Sequence, residues 1–198
     1  MRYPDLAQKI IALKDADLQL RDRLVRSGEL GKGYNKEMQR LHDQNAAALE
    51  YIIDRIGYPT VEQVGKAASE AAWLVIQHSI GKPAFMQKCE RLLSEAVEKQ
   101  QVPPKNLAYL SDRIAVLKGQ PQRYGTQFDW DEEGQLSPLP CEDLTEVNRR
   151  RATLGLKSLE EQTRLIRTQA VAENHKPPAD LQARKQEMEA WRRKVGWV

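Results

Sequence analysis

The sequence predicts a mainly α protein: a multi-helix single domain with one short β-hairpin or loop element and a helical C-terminal extension. Three observations carry that expectation. Apolar residues recur at helical spacing through most of the 198 residues. Proline and glycine cluster where one periodic stretch gives way to the next. The segment from Tyr124 to Leu139 breaks the pattern, with two short runs around Asp131-Glu132-Glu133-Gly134.

The first helix begins near Pro4, because proline is suited to a first helical position. Leu6, Ile10, Leu13, Leu18 and Leu24 mark its apolar side, and Gly28, Gly31 and Gly33 end it. A second helix runs from about Lys36 to Ile56, with Met38, Leu41, Ala48, Leu49, Ile52, Ile53 and Ile56 on its buried side. Gly57 caps it and Pro59 forbids its continuation. Thr60-Val61-Glu62-Gln63 reads as a capping box that opens a short helix, followed by the run Ala67 to Ser79.

Gly81 and Pro83 precede a helix bearing Phe85, Cys89, Leu92, Leu93, Ala96 and Val97. Pro103-Pro104 leads into another, Asn106 to Leu117, which Gly119 and Pro121 stop. Pro138 and Pro140 confine any strand after Gly134 to an edge. Helices resume at Asp143. Ser158-Leu159-Glu160-Glu161 is a second capping box, and His175-Lys176-Pro177-Pro178 sets off a last amphipathic helix from about Asp180 to Lys194. The expected division is a helical core over 1–159 and an amphipathic helical extension over 160–198.

Composition narrows the function classes. Hydrophobic residues make up 40% and charged residues 30%, enough for a modest core under a solvated surface. Lys and Arg number 31 against 28 Asp and Glu, and the two signs interleave, so nucleic acid is not the expected partner. The longest nearly apolar run, Ala71 to Ile76, is far too short to cross a bilayer. Met1 to Asp5 lacks the pattern of a signal peptide. Cys89 and Cys141 have no metal-ligand spacing and read as two unpaired thiols in a reducing cytoplasm. The three histidines, His42, His78 and His175, are far apart in sequence, so no metal and no cofactor is expected from motif spacing.

Chemistry is expected at three places. His78 follows an apolar helical run, and imidazole is the side chain suited to proton transfer near neutrality. Gln77 beside it can donate and accept hydrogen bonds. A helix-end histidine can equally serve the helix dipole alone. Asp112 and Arg113 lie on a stripe with Tyr109 and Val116, beside the apolar row Leu107, Leu110, Ile114 and Leu117. Arg113 would hold an anion there, and Asp112 would orient a neighbour or act as a base. An ordinary ion pair is the plainer alternative, since Asp-Arg also occurs at Asp22-Arg23 and Asp54-Arg55. The third place is the loop Gln122-Arg123-Tyr124-Gly125-Thr126-Gln127. Its side chains either align a ligand or brace the fold through hydrogen bonds.

These segments resemble an uncharacterised bacterial family of unknown function. The matching pieces are Gly57-Tyr58-Pro59-Thr60, Ala72-Trp73-Leu74-Val75-Ile76-Gln77-His78, Ala108-Tyr109-Leu110-Ser111-Asp112-Arg113 and the loop Gln122 to Gln127. Val147-Asn148-Arg149-Arg150-Arg151 before Gly155-Leu156 resembles the family's arginine-bearing helix. Tyr58, Ser111 and Asn148 depart from residues usual in that family. The resemblance covers roughly 43–159 and implies a shared pocket more than a particular reaction.

The expected function is that of a small cytoplasmic enzyme of hydrolase or transferase type acting on a polar or anionic small molecule or peptide. His78 would be its general acid/base, with Asp112 orienting it or sharing the proton. Arg113 with Arg149 or Arg150 would hold negative charge, and Gln77, Gln122, Tyr124, Thr126 and Gln127 would align the substrate. The rival is a ligand-binding or interaction module whose polar cluster is structural. Its charged C-terminal extension would then meet a protein partner or a second copy.

Overall fold

The computed structural model describes residues 1–29 and 34–198. Gly31 and Gly33, read above as part of the break after the first helix, lie outside the described residues. The protein is mainly α, with nine helices and one two-stranded antiparallel hairpin among the described residues. Contacts gather into two compact units, Met1–Asn106 and Leu107–Val198. The boundary anticipated after residue 159 falls inside the second unit.

The first unit holds α1 (Pro4–Arg26), α2 (Lys36–Ile56), α3 (Val61–Val64), α4 (Lys66–His78) and α5 (Pro83–Glu98). Their ends follow local chemistry. Pro4 and Pro83 occupy first-turn positions of α1 and α5. Asn35 caps α2 by accepting from the amides of Glu37 and Met38. Gln63 Oε1 accepts from the Thr60 amide at 3.0 Å, the glutamine half of the expected capping box. The N-terminus is tied down where the amides of Arg2 and Tyr3 donate to the Gln63 carbonyl.

α1 packs chiefly on α4 and also on α2. Its fully buried row is Ile10, Asp17 and Leu24. Seven residues advance an α-helix to within about 20° of two whole turns, so these three share one face. Leu18, expected on that face, is instead 43% exposed. The buried row of α2 runs Met38, His42, Asn45, Leu49 and Ile52, in alternating steps of four and three. Asn45 Nδ2 donates to the Leu13 carbonyl at 3.0 Å, joining α2 to α1. Ala48, also expected inside, is exposed.

The second unit takes in most of α6 (Pro104–Leu117), then β1 (Phe128–Trp130), β2 (Leu136–Pro138), α7 (Leu144–Thr153), α8 (Leu159–Ala172) and α9 (Leu181–Val195). Phe128 pairs with Pro138 and Trp130 with Leu136, so Pro138 sits at the end of an edge strand. Asp131 holds the hairpin turn, accepting from the amides of Glu133 and Gln135 and from the Ser137 hydroxyl. Asp143, Ser158 and Asp180 each cap the helix that follows them. The α8 box is half made, because Glu161 turns to Lys157. α8 lies against β2 and α7, whereas α9 has no buried residue.

Candidate functional site

Three polar side chains occupy apolar slots in the helical rows of the first unit. Asp17 stands between Ile10 and Leu24, His42 between Met38 and Asn45, and His78 one turn beyond Val75 at the end of α4. Each slot faces the seam where the three helices pack, so the three side chains meet. His78 Nδ1 lies 2.8 Å from Asp17 Oδ2 and hydrogen-bonds to it. His42 Nε2 approaches the same oxygen at 3.1 Å without hydrogen-bond alignment. The rings of His42 and His78 stand 5.3 Å apart, centroid to centroid. On the far side of His42, the Tyr34 hydroxyl lies 2.6 Å from Nδ1.

The cluster grades from dry to wet. The side chain of Asp17 is 1% exposed, that of His42 9% and that of His78 27%. Burial alone would raise the Asp17 carboxyl. The close contacts of its carboxylate with the His42 and His78 imidazoles outweigh that and hold Asp17 well below the usual carboxylate range. Burial and the negative charges of Asp43 and Asp17 raise the Tyr34 phenol, which stays protonated. Asp17 Oδ1 is buried and has no hydrogen-bond partner among the described residues. An unmet buried carboxylate oxygen is costly, and such atoms in a folded protein call for a reason.

In the second unit a buried frame fixes the Tyr-Gly-Thr loop. Asp112, fully buried, accepts from the amides of Arg123 and Tyr124 on Oδ1 and of Thr126 on Oδ2, all within 3.1 Å. Burial raises the Asp112 carboxyl above its ordinary value, against the pull of those amides. From the other side, Arg151 Nη1 donates to the carbonyls of Tyr124 and Gly125, and its Nε to that of Lys157. Gln122, also fully buried, spends its whole amide group. Nε2 donates to the carbonyls of Gln127 and Leu139, and Oε1 accepts from the Gln127 amide at 2.7 Å. Gly125 has φ +62°, and a Cβ there would stand 2.8 Å from Leu159 Cδ1, so glycine is required twice over.

The residues singled out in the sequence are thus distributed. His78 and the buried Gln77 belong to the first unit, and His78 joins Asp17 and His42, neither of which the sequence reading selected. The others belong to the second unit. Asp112, Gln122, Tyr124, Thr126 and Gln127 enter the loop frame, where Gln127 Nε2 donates to Thr126 Oγ1. Arg113 is half-buried. Arg149 is exposed and pairs with Glu146, while Arg150 pairs with Glu142 and reaches the Arg123 carbonyl. Arg151, not among the selected residues, is the buried arginine of that run.

Both cysteines are free. Cys89 is a core thiol that burial pushes up to about 12, which disfavours the thiolate. A cleft of about 320 Å³ in the first unit is lined by Arg2, Tyr58, Thr60, Gln63, Glu95 and Lys99 among others, and by none of the cluster residues.

The profile of a family of unknown function, DUF6624, matches residues 4–176. The chain belongs to that family. The DUF6624 match reaches further in both directions than the motifs quoted above. It takes in α1 with Asp17, α2 with His42 and α4 with His78, and it ends before α9. No curated protein and no solved structure matches the chain. No helix among the described residues is long and apolar enough to cross a membrane.

Proposed function

We propose that this DUF6624 protein is an enzyme of hydrolase or transferase type whose reaction centre is the Asp17–His42–His78 cluster. Its substrate would be a polar or anionic small molecule or peptide. One observation carries this reading: a fully buried carboxylate holds the Nδ1 side of an imidazole whose ring still reaches solvent. An anion fixed at Nδ1 favours the tautomer that leaves Nε2 free to take a proton. Asp17 thereby fills the orienting role that the sequence suggested for Asp112. In this reading Asp112, Arg151 and Gln122 serve the loop of the second unit. Free cysteines fit work in a reducing cytoplasm.

The test is a substrate screen on the full chain, repeated with His78→Ala and with His175→Ala, an exposed histidine. Loss of turnover by at least about 100-fold in His78→Ala, with His175→Ala unchanged, is the expected result. Unchanged turnover in His78→Ala would end the reading.

A second reading has its own support. Leu165, Val171 and Met188 are exposed on α8 and α9, as on the arm of an interaction module. Removing residues 180–198 would then abolish capture of a partner and leave turnover at the cluster untouched.

A further inference from the structure

Acid/base work at His78 leaves two features of the cluster without a purpose. A carboxylate that orients one imidazole needs one histidine, yet His42 and His78 crowd the same oxygen of Asp17. The other oxygen, Oδ1, is buried with no partner among the described residues. We propose that Asp17, His42 and His78 bind a divalent first-row transition-metal ion.

The donor set and its geometry both point there. Two imidazoles and one carboxylate are ligands for Zn²⁺, Fe²⁺ or Mn²⁺, whereas Ca²⁺ and Mg²⁺ take oxygen shells and Cu⁺ takes sulfur. One ligand atom from each residue lies within 4.8 Å of the other two. Ligands bound at about 2.1 Å stand about 3.0 Å apart in an octahedral shell and about 3.4 Å apart in a tetrahedral one. Asp17 Oδ2 is already 3.1 Å from His42 Nε2 and 2.8 Å from His78 Nδ1, so the shell needs only side-chain adjustment. The misalignment of His42 Nε2 with Asp17, poor for a hydrogen bond, costs nothing when both atoms face an ion between them.

Tyr34 completes the second layer. With His42 bound through Nε2, its Nδ1–H donates to the Tyr34 oxygen at 2.6 Å, which fixes the ring and its tautomer. Asp17 Oδ1 is left for the ion or for a water on it. His78 is the partly exposed member of the three ligands, and an open catalytic site rather than a closed structural one needs solvent to reach the ion from its side. The inference rests on the reading that this cluster is the reaction centre. It changes one thing in that reading: with the ion bound, the base is a water acidified by the metal instead of the His78 ring.

The experiment uses the full chain, stripped with chelator and dialysed. Zn²⁺ binding is measured calorimetrically, and Co²⁺ binding by its visible absorption. One ion per chain is expected, with Co²⁺ bands of nitrogen and oxygen ligation and no thiolate charge transfer. Asp17→Asn and His78→Ala should each weaken Zn²⁺ binding by more than about 100-fold, and Tyr34→Phe by about 10-fold. His175→Ala, an exposed histidine elsewhere, should change nothing. Circular dichroism of His78→Ala, a partly exposed site at a helix end, confirms that the variant is folded.

Absence of Zn²⁺ and Co²⁺ binding, or binding that survives in both Asp17→Asn and His78→Ala, overturns the metal site. If His78→Ala still abolishes turnover in a chain that binds no metal, the enzyme reading stands and the metal falls. If the cluster holds one ion but His78→Ala leaves turnover intact, the metal stands and the reaction centre lies elsewhere.

Discussion

Each unit of this protein buries one aspartate completely, and the two are used in opposite ways. Asp112 is saturated: three backbone amides fill its two oxygens, and the loop they come from is clamped from behind by Arg151. Among the described residues Asp17 meets no backbone donor, gathers two titratable rings on one oxygen and has no partner on the other. A carboxylate spent on backbone amides is architecture, because nothing can approach it without undoing the loop. A carboxylate surrounded by rings that can release it is free to act on something else. The comparison teaches that burial alone does not mark a site; the identity of the partners does.

The largest effect that could break the comparison is Asp112→Leu. It strands three part-buried amides and should cost on the order of 4 kcal/mol, lowering the melting temperature of the chain by about 10 °C. A change below about 1 kcal/mol would mean that the loop does not depend on this carboxylate. Gly125→Ala comes next, at about 3 kcal/mol, from the left-handed backbone together with the contact to Leu159. Urea unfolding reads both, and Gly125→Ala should act without touching anything in the first unit.

How far these roles were legible depends on whether their signals are local. Proline at Pro4 and Pro83, the Thr60 to Gln63 box and the turn at Asp131 to Gly134 each act within four or five residues, and each appears where the sequence placed it. The histidine cluster was half legible. His78 stands out at the end of an apolar run, but its partners are 36 and 61 residues away in the chain, and no spacing rule reaches that far. A signal existed all the same. In α1 the steps Leu6, Ile10, Leu13, Asp17, Leu20, Leu24 alternate four and three, and Asp17 is the one charge in the row. Reading Leu18 as the core residue stepped over it. His42 interrupts the row of α2 in the same manner. A charged or titratable residue at an apolar position of a helical repeat is the mark that should be sought first.

That observation sharpens the third expectation. Asp17→Leu restores the apolar row between Ile10 and Leu24 but leaves His42 and His78 without their carboxylate, so at neutral pH it should destabilise the metal-free chain, by less than Asp112→Leu does. Turnover and metal binding should vanish together. A loss as large as that of Asp112→Leu would make the two aspartates alike and remove the contrast.

The smallest expected effect is one of sign. The folded-state carboxyl of Asp17 lies below its unfolded value of about 3.9, so its contribution to stability is present above that pH and lost as pH falls through the folded value. The folded-state carboxyl of Asp112 lies above its unfolded value, so its contribution is present below about 3.9 and lost as pH rises through the folded value. Between pH 3 and 7, the penalty for Asp17→Asn should therefore grow with pH, and the penalty for Asp112→Asn should shrink. Denaturant melts of the two variants across that range read the slopes, and slopes of equal sign would contradict the assignment of the two environments.

The most direct measurement is the change in melting temperature on adding Zn²⁺ to the stripped full chain and to its Asp17→Leu variant. An ion that binds the folded state alone must raise its melting point. A clear rise in the parent, with none in the variant relative to its own metal-free melting temperature, is the expected result. An equal rise in both proteins, or none in the parent, would contradict the claim that Asp17 is kept in the core to hold a ligand.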